Sequence, residues 1–302
     1  MKRIVITAAN GFLGDHLCRY FSGSYEVIAL IRKPMPDAEN IKYVLWDGKT
    51  IGEWKVYLEG AEALINLAGK SVDCRYHEEN KRLILQSRLE STGVLGEAVN
   101  ACKVKPKVWI NSASATIYAH SLEKPNSESE HVIGSGFSVD VCQQWENAFF
   151  EFAYADVRQV ALRTTIVLGD DGGAFPVMKR MVKFFLGGKQ GKGNQMISWI
   201  HIDDFCRATE HVLNREEIDG VINIGSPNPI RNEDFMKELR TMCKRPFGFP
   251  ASAGLLKFGA RIIKTETELI LKSRFIQPEK LIQTGFEFDY PTVDSAFNDL
   301  VK

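Results

Sequence analysis

The sequence predicts an α/β protein with a doubly wound, parallel sheet and a small C-terminal lobe. Three observations predict it. The first two-thirds of the chain alternates short β-branched runs with longer helical patterns, as stacked βαβ units do. The first of those strands runs into a turn of small residues and then a helix. After about Pro227, short helical stretches alternate with breaks at Pro246, Pro250, Pro278 and Pro291, and no parallel-sheet pattern continues.

Strands are expected at Arg3–Thr7, Glu26–Ile31, Tyr43–Leu45, Ala63–Leu67, Val108–Ser112 and Val157–Leu162, runs rich in Val, Ile and Leu. The clearest helical stretches are Glu78–Ala101 and Phe137–Ala153. A later strand, Gly220–Ile224, follows a helix that opens at Asp203-Asp204, two carboxylates suited to a helix N-terminus. The expected division is a sheet domain over residues 1–226, with an inserted loop at about 170–197, and a lobe over 227–302.

Composition excludes several classes. Lys+Arg and Asp+Glu both total 38, so the chain offers no electrostatic footprint for nucleic acid or an anionic membrane. No apolar run approaches the roughly 20 residues of a transmembrane helix. Met1-Lys2-Arg3 enters a strand at once, and that strand is too short for a signal peptide. Cys18, Cys74, Cys102, Cys142, Cys206 and Cys243 are scattered with no Cys-x-x-Cys, which reads as free thiols in a reducing cytoplasm. The histidines show no zinc-ligand spacing, so no metal site is expected. Neither a Gly-x-Ser-x-Gly elbow nor a Walker loop occurs.

The chemistry begins after the first strand. Ile4-Val5-Ile6-Thr7 leads into Ala8-Ala9-Asn10-Gly11-Phe12-Leu13-Gly14 and then a helix. Backbone N–H groups and the helix dipole there face an anion such as a pyrophosphate, and missing side chains let it come close. The spacing resembles the Gly-x-x-Gly-x-x-Gly loop of extended short-chain dehydrogenases, with Ala8 in place of the first glycine. Alanine suits that turn if its φ stays negative. A packing turn without ligand is the alternative. The second strand ends at Arg32-Lys33, where an NAD site places Asp or Glu and an NADP site places Arg. Arg32 therefore favours NADP(H) over NAD(H), unless Arg32-Lys33 is only a solvated strand end.

Further segments keep one family's order: Asn66-Leu67-Ala68-Gly69, Ser87-Arg88-Leu89-Glu90-Ser91-Thr92, Ser112-Ala113-Ser114-Ala115-Thr116-Ile117-Tyr118, and Cys142-Gln143-Gln144-Trp145-Glu146. Leu162-Arg163-Thr164-Thr165, Gly172-Gly173, Gly187-Gly188, Gly191-Lys192-Gly193 and Trp199-Ile200-His201-Ile202-Asp203 follow, then Gly285-Phe286. The set resembles the atypical epimerase branch of the short-chain dehydrogenase/reductase superfamily, NAD(P)-dependent sugar-nucleotide epimerases of which some are called cell-division inhibitors. The resemblance covers almost the whole chain. It implies a Rossmann domain with a small substrate lobe, an NADP(H) or NAD(H) cofactor, and an oxidoreductase or epimerase acting on a small polar substrate such as a nucleotide sugar. Loop and resemblance together give the cofactor-binding residues as Thr7, Ala9, Asn10, Gly11, Phe12, Leu13, Gly14, Arg32, Leu67, Ala68, Gly69, Ser87, Ser112 and Cys142. The two long helices correspond to those that pair into dimers in the superfamily, so a homodimer is one arrangement it allows.

One departure bears on catalysis. Ordinary members carry Tyr-x-x-x-Lys on a helix, where the Lys lowers the Tyr pKa and the Tyr exchanges a proton with substrate. Ser114 matches their substrate-orienting serine. With Glu146 as anchor, however, Ser138 stands at the Tyr position and Cys142 at the Lys position, and no tyrosine of the chain has a Lys four residues on. Ser114 and Tyr118 remain the catalytic candidates, Tyr118 being equally readable as a core residue. His201 reads as structural. A second class of function, a cofactor-binding module that senses NADP(H) without turnover, fits the same pattern.

Overall fold

The computed structural model describes residues 1–252, 254 and 271–301, so part of the expected lobe, at 253, 255–270 and 302, lies outside the described residues. The elements in chain order are β1 (Arg3–Thr7), α1 (Phe12–Phe21), β2 (Glu26–Ile31), β3 (Ile41–Leu45), β4 (Ala63–Asn66) and α2 (Glu78–Asn100). Next come β5 (Val108–Ser114), α3 (Phe137–Phe150), β6 (Arg158–Thr164), β7 (Ile166–Leu168), α4 (Phe175–Lys183), β8 (Met196–Ile197) and β9 (Trp199–His201). The chain closes with α5 (Ile202–Asn214), β10 (Gly220–Ile224), β11 (Ile230–Arg231), α6 (Asn232–Met242), α7 (Glu279–Gln283) and α8 (Val293–Leu300).

Seven strands form one sheet in the order β10-β6-β5-β4-β1-β2-β3, with every pairing parallel. This is the Rossmann arrangement with a seventh strand added at the β6 edge. The order reverses between β1 and β4, which opens a ligand crevice at the strands' C-terminal ends. Both faces of the sheet are covered, as an all-parallel sheet requires. Ile4 and Ile6 point to one core with Leu17 of α1 and Phe205 of α5. Val5 points to the other, with Leu95 of α2 and Phe149 of α3. The period of two within β1 thus supplies both layers.

A third core joins Leu168, Phe175, Val182 and Trp199 to Phe235, Leu239 and Phe297. The segment before α5 therefore packs with the C-terminal elements. The Gly-rich stretch 187–193 is fixed as well: the Gly191 N–H donates to Ala251 O at 2.8 Å, and Ala251 N–H to Lys189 O at 3.0 Å. Gln190 and Asn232 exchange two further bonds at 2.8 and 3.0 Å. Among the described residues no helix is long and apolar enough to cross a membrane.

Candidate active site

The turn after β1 closes through Gly11 N–H to Ala8 O at 2.9 Å, and α1 begins with no side-chain cap. The N–H groups of Phe12, Leu13 and Gly14 take no acceptor among the described residues, so this end suits an anionic ligand. Gly14 must lack a side chain: a Cβ would stand 2.8 Å from Ala9 Cα and closer still to Ala8 O. Ala8 corrects the sequence expectation. Its φ is +50°, the left-handed region, so alanine keeps the glycine-like turn under strain instead of reshaping it. The Phe12 ring lies against Gly169 and Gly172, where a Cβ would collide with it, which accounts for the small residues there. Arg32 is exposed just past the C-terminal end of β2.

Behind the crevice runs a buried side-chain ladder. Thr7 Oγ1 donates to Asn66 Oδ1 at 2.7 Å, and Asn66 Nδ2 donates to Asn111 Oδ1 at 2.7 Å. Leu67 N–H returns to Thr7 Oγ1 at 2.9 Å, and Ala68 N–H to Asn66 Oδ1 at 3.1 Å. Thr7 therefore acts through the loop 67–69 it shapes. Ser87 is similar: its Oγ accepts from Lys70 N–H at 2.9 Å and donates to Ile84 O at 3.1 Å, anchoring that loop.

A cavity of about 300 Å³ opens where β4, β5, α2 and α3 meet. It brings together Leu67, Gly69, Ser112, Ser114, Ser138 and Cys142, residues singled out from three separate stretches of sequence. Ser114 Oγ accepts from Thr116 N–H at 3.2 Å, and its own proton has no acceptor among the described residues. Burial, then the nearby Glu146, pushes the Cys142 thiol up to about 12, so it is a neutral thiol. Two wall residues were missed by sequence reasoning: Tyr76, whose ring packs edge-on to Phe137 at 5.1 Å, and Arg88.

Tyr118 is not part of this site, which corrects its candidacy as a proton donor. It is fully buried in a cluster with Ile117, Val139 and Ile276. Its hydroxyl donates to Asn223 Oδ1 at 2.7 Å and accepts from Arg163 Nη1 at 2.9 Å. Burial pushes the phenol pKa up, against the pull of Arg163. His201 caps α5, its Nδ1 accepting from Asp203 N–H at 3.1 Å.

Residues 4–225 match the model of the NAD dependent epimerase/dehydratase family, and residues 254–300 match a domain of unknown function, DUF1731. An epimerase family protein of Staphylococcus saprophyticus is 33% identical over 305 residues and 100% of both chains. The epimerase family protein YfhF of Bacillus subtilis is 30% identical over 300 residues, 99% of this chain and 97% of YfhF. The crystal structure of human epimerase family protein SDR39U1 (isoform 2) with NADPH superposes with a TM-score of 0.87 at 26% identity, covering 99% of each chain.

Proposed function

Because the chain belongs to the NAD dependent epimerase/dehydratase family, we propose that it binds NADP(H) and acts as an oxidoreductase or epimerase on a small polar substrate. The observation that carries this reading is the cavity of Ser114, Ser138 and Cys142 at the C-terminal ends of β4 and β5, whose wall residue Leu67 is tied by its N–H to Thr7 at the end of β1. The cofactor of the SDR39U1 structure, NADPH, supports the choice of cofactor.

In this reading the pyrophosphate lies over the backbone of Ala9, Asn10, Gly11, Phe12, Leu13 and Gly14. Arg32 forks onto the 2′-phosphate of the adenosine ribose. Leu67, Ala68, Gly69, Ser112 and Cys142 flank the nicotinamide end, with Thr7 and Ser87 holding the 67–70 loop in place. When bound, NADPH supplies a hydride for a carbonyl carbon. Ser114 donates its free proton as a hydrogen bond to the substrate oxygen and fixes its position. Residues 1–226 carry the cofactor, and the segment 170–197 with the described residues of the C-terminal lobe covers the substrate.

Ser138 and Cys142 on the cavity wall favour a second reading, a module that reports NADP(H) occupancy without turnover, since neither is a phenol or an ammonium. Titration with NADPH and NADH, followed by turnover assays on aldehydes and nucleotide sugars, tests both. Tight NADPH binding with turnover lost in Ser114→Ala supports the enzyme. Tight binding without turnover supports the module, and no NADPH binding removes both.

A further inference from the structure

Among the described residues the cavity wall carries cations and no carboxylate. Arg88 and Lys70 line it, and none of its other lining residues is acidic, although the chain as a whole holds 38 of each sign. Arg88 is held rigidly. Its Nη1 donates to Lys70 O at 3.1 Å and Ile84 O at 2.9 Å, and its guanidinium lies 4.9 Å above the Trp145 ring. Trp145 is itself pinned by its Nε1–H bond to Thr92 Oγ1 at 3.1 Å. On the other side, Gly69 leaves room, since a Cβ there would stand 3.2 Å from Arg88 Cζ.

No Asp or Glu among the described residues pairs with this guanidinium. Its electrostatic neighbours are the Cys142 thiol and the Tyr76 phenol. Glu146, next to Trp145 in the chain, is committed to Arg163 at 2.9 and 2.7 Å. Burial draws the Arg88 pKa below its ordinary value, yet an arginine stays charged. Nε and Nη2 of Arg88 take no acceptor among the described residues. A guanidinium confined without a counter-ion is unfavourable for folding, and an arriving anion removes that penalty. A planar fork with unused donors matches a carboxylate in two-pronged geometry.

We propose that Arg88 is a specificity-determining residue that seats the carboxylate of a small anionic substrate, a carboxylate-bearing carbonyl or hydroxy compound. The inference rests on the reading of this cavity as the substrate site. At about 300 Å³ it is at the small end for ligand pockets, and the nicotinamide end shares it, so the partner is a small acid.

The test uses oxamate and its neutral counterpart oxamide, which differ in one carboxylate and accept no hydride readily. Each is titrated by calorimetry into the protein with and without saturating NADPH, with inorganic phosphate as a third probe. Oxamate is expected to bind at least ~10-fold more tightly than oxamide, the scale of one charge-assisted contact. Arg88→Gln should erase that preference, and Arg88→Lys should keep part of it as a point charge. Equal affinity for the two probes, no oxamate binding at millimolar concentration, or a preference that survives Arg88→Gln overturns the proposal. Phosphate binding more tightly than oxamate overturns the carboxylate assignment. A failure of NADPH to bind, with an Arg88-dependent oxamate preference intact, would instead remove the cofactor reading and leave this one standing.

Discussion

Glu146 of α3 and Arg163 of β6 form a two-pronged ion pair, Nε to Oε1 at 2.9 Å and Nη2 to Oε2 at 2.7 Å, with both side chains more than nine-tenths buried. Arg163 also donates to the Tyr118 hydroxyl, which continues to Asn223 on β10. The Trp-Glu and Leu-Arg-Thr segments, 17 residues apart at Glu146 and Arg163, are thus one buried network that ties α3 to the β6–β10 edge. Breaking such a pair leaves a buried charge alone, so Glu146→Gln should cost about 3–5 kcal/mol. Urea unfolding measures it. The double change Glu146→Leu, Arg163→Met should recover most of the loss, and a double variant as unstable as the single would show that the network contributes more than charge compensation.

The phosphate turn makes an opposite pair of predictions. Ala8 sits at φ +50°, so Ala8→Gly should stabilise the fold by about 1 kcal/mol and keep or tighten dinucleotide binding. Gly14→Ala has no room for its Cβ beside Ala8 O and Ala9 Cα, and should lose both stability and binding. A thermal melt with and without NADPH checks the two. Weaker NADPH binding by Ala8→Gly would mean that the strained turn itself is what the cofactor recognises.

In the proposed reading, cofactor choice turns on Arg32. Arg32→Ala should weaken NADPH by roughly 10- to 100-fold, the effect of one lost charge-assisted contact, and leave NADH almost unchanged. Fluorescence titration of both nucleotides reads this directly. A wild-type protein that binds NADH as tightly as NADPH would remove the argument from the end of β2.

Why some of this was legible and some was not follows from distance along the chain. The strands of the sheet and the turn after β1 are written locally, in runs of apolar residues and in small residues placed between strand and helix. Ser138 and Cys142 could be placed by counting back from Glu146, and they do share the cavity wall with Ser114. The sign of Ala8's φ could not be read, because it is set by how the turn packs on Gly14. Tyr118 was ambiguous for a similar reason: its partners Arg163 and Asn223 come from strands 45 and 105 residues away. Arg88 stood in the sequence only as part of the Ser87–Thr92 segment, with no role given to it. Only the folded arrangement sets it over Trp145 and against Gly69, with no carboxylate partner among the described residues.

His201 gives the pH prediction. Burial pushes its imidazole below the ordinary value of 6.5, against the opposing pull of Asp203, Asp299 and Asp204, and its ring stacks on Tyr290 at 3.7 Å. His211 is lowered too, by burial and then Arg215. For a depressed histidine the unfolded chain binds the proton more readily. The stability is therefore fully present above 6.5 and is lost as the pH falls from there through the folded value. Tm should drop over that interval. His201→Asn, which keeps an oxygen to cap α5, should flatten the drop. A slope unchanged by the substitution would place the titration elsewhere.

Cys142 and Arg88 share the cavity, and that makes the lysine of ordinary relatives a poor guest here. The count from Glu146 puts Cys142 at the lysine position, and Arg88 is close enough to act electrostatically on its thiol. Cys142→Lys would set an ammonium beside a guanidinium that has no carboxylate partner among the described residues, in a half-buried cavity where charges are screened less than in bulk water. The single variant should therefore melt earlier than wild type, and added Arg88→Gln should restore much of the loss. In a double-mutant cycle, the coupling expected between residues of one site is about 0.5–3 kcal/mol, here with the sign of a repulsion. Adding oxamate should narrow the gap, because a bound carboxylate screens the two cations from each other. Additive effects, with no coupling in the absence of ligand, would mean that the guanidinium turns away from residue 142, and the assignment of Arg88 to the substrate cavity would fall with it.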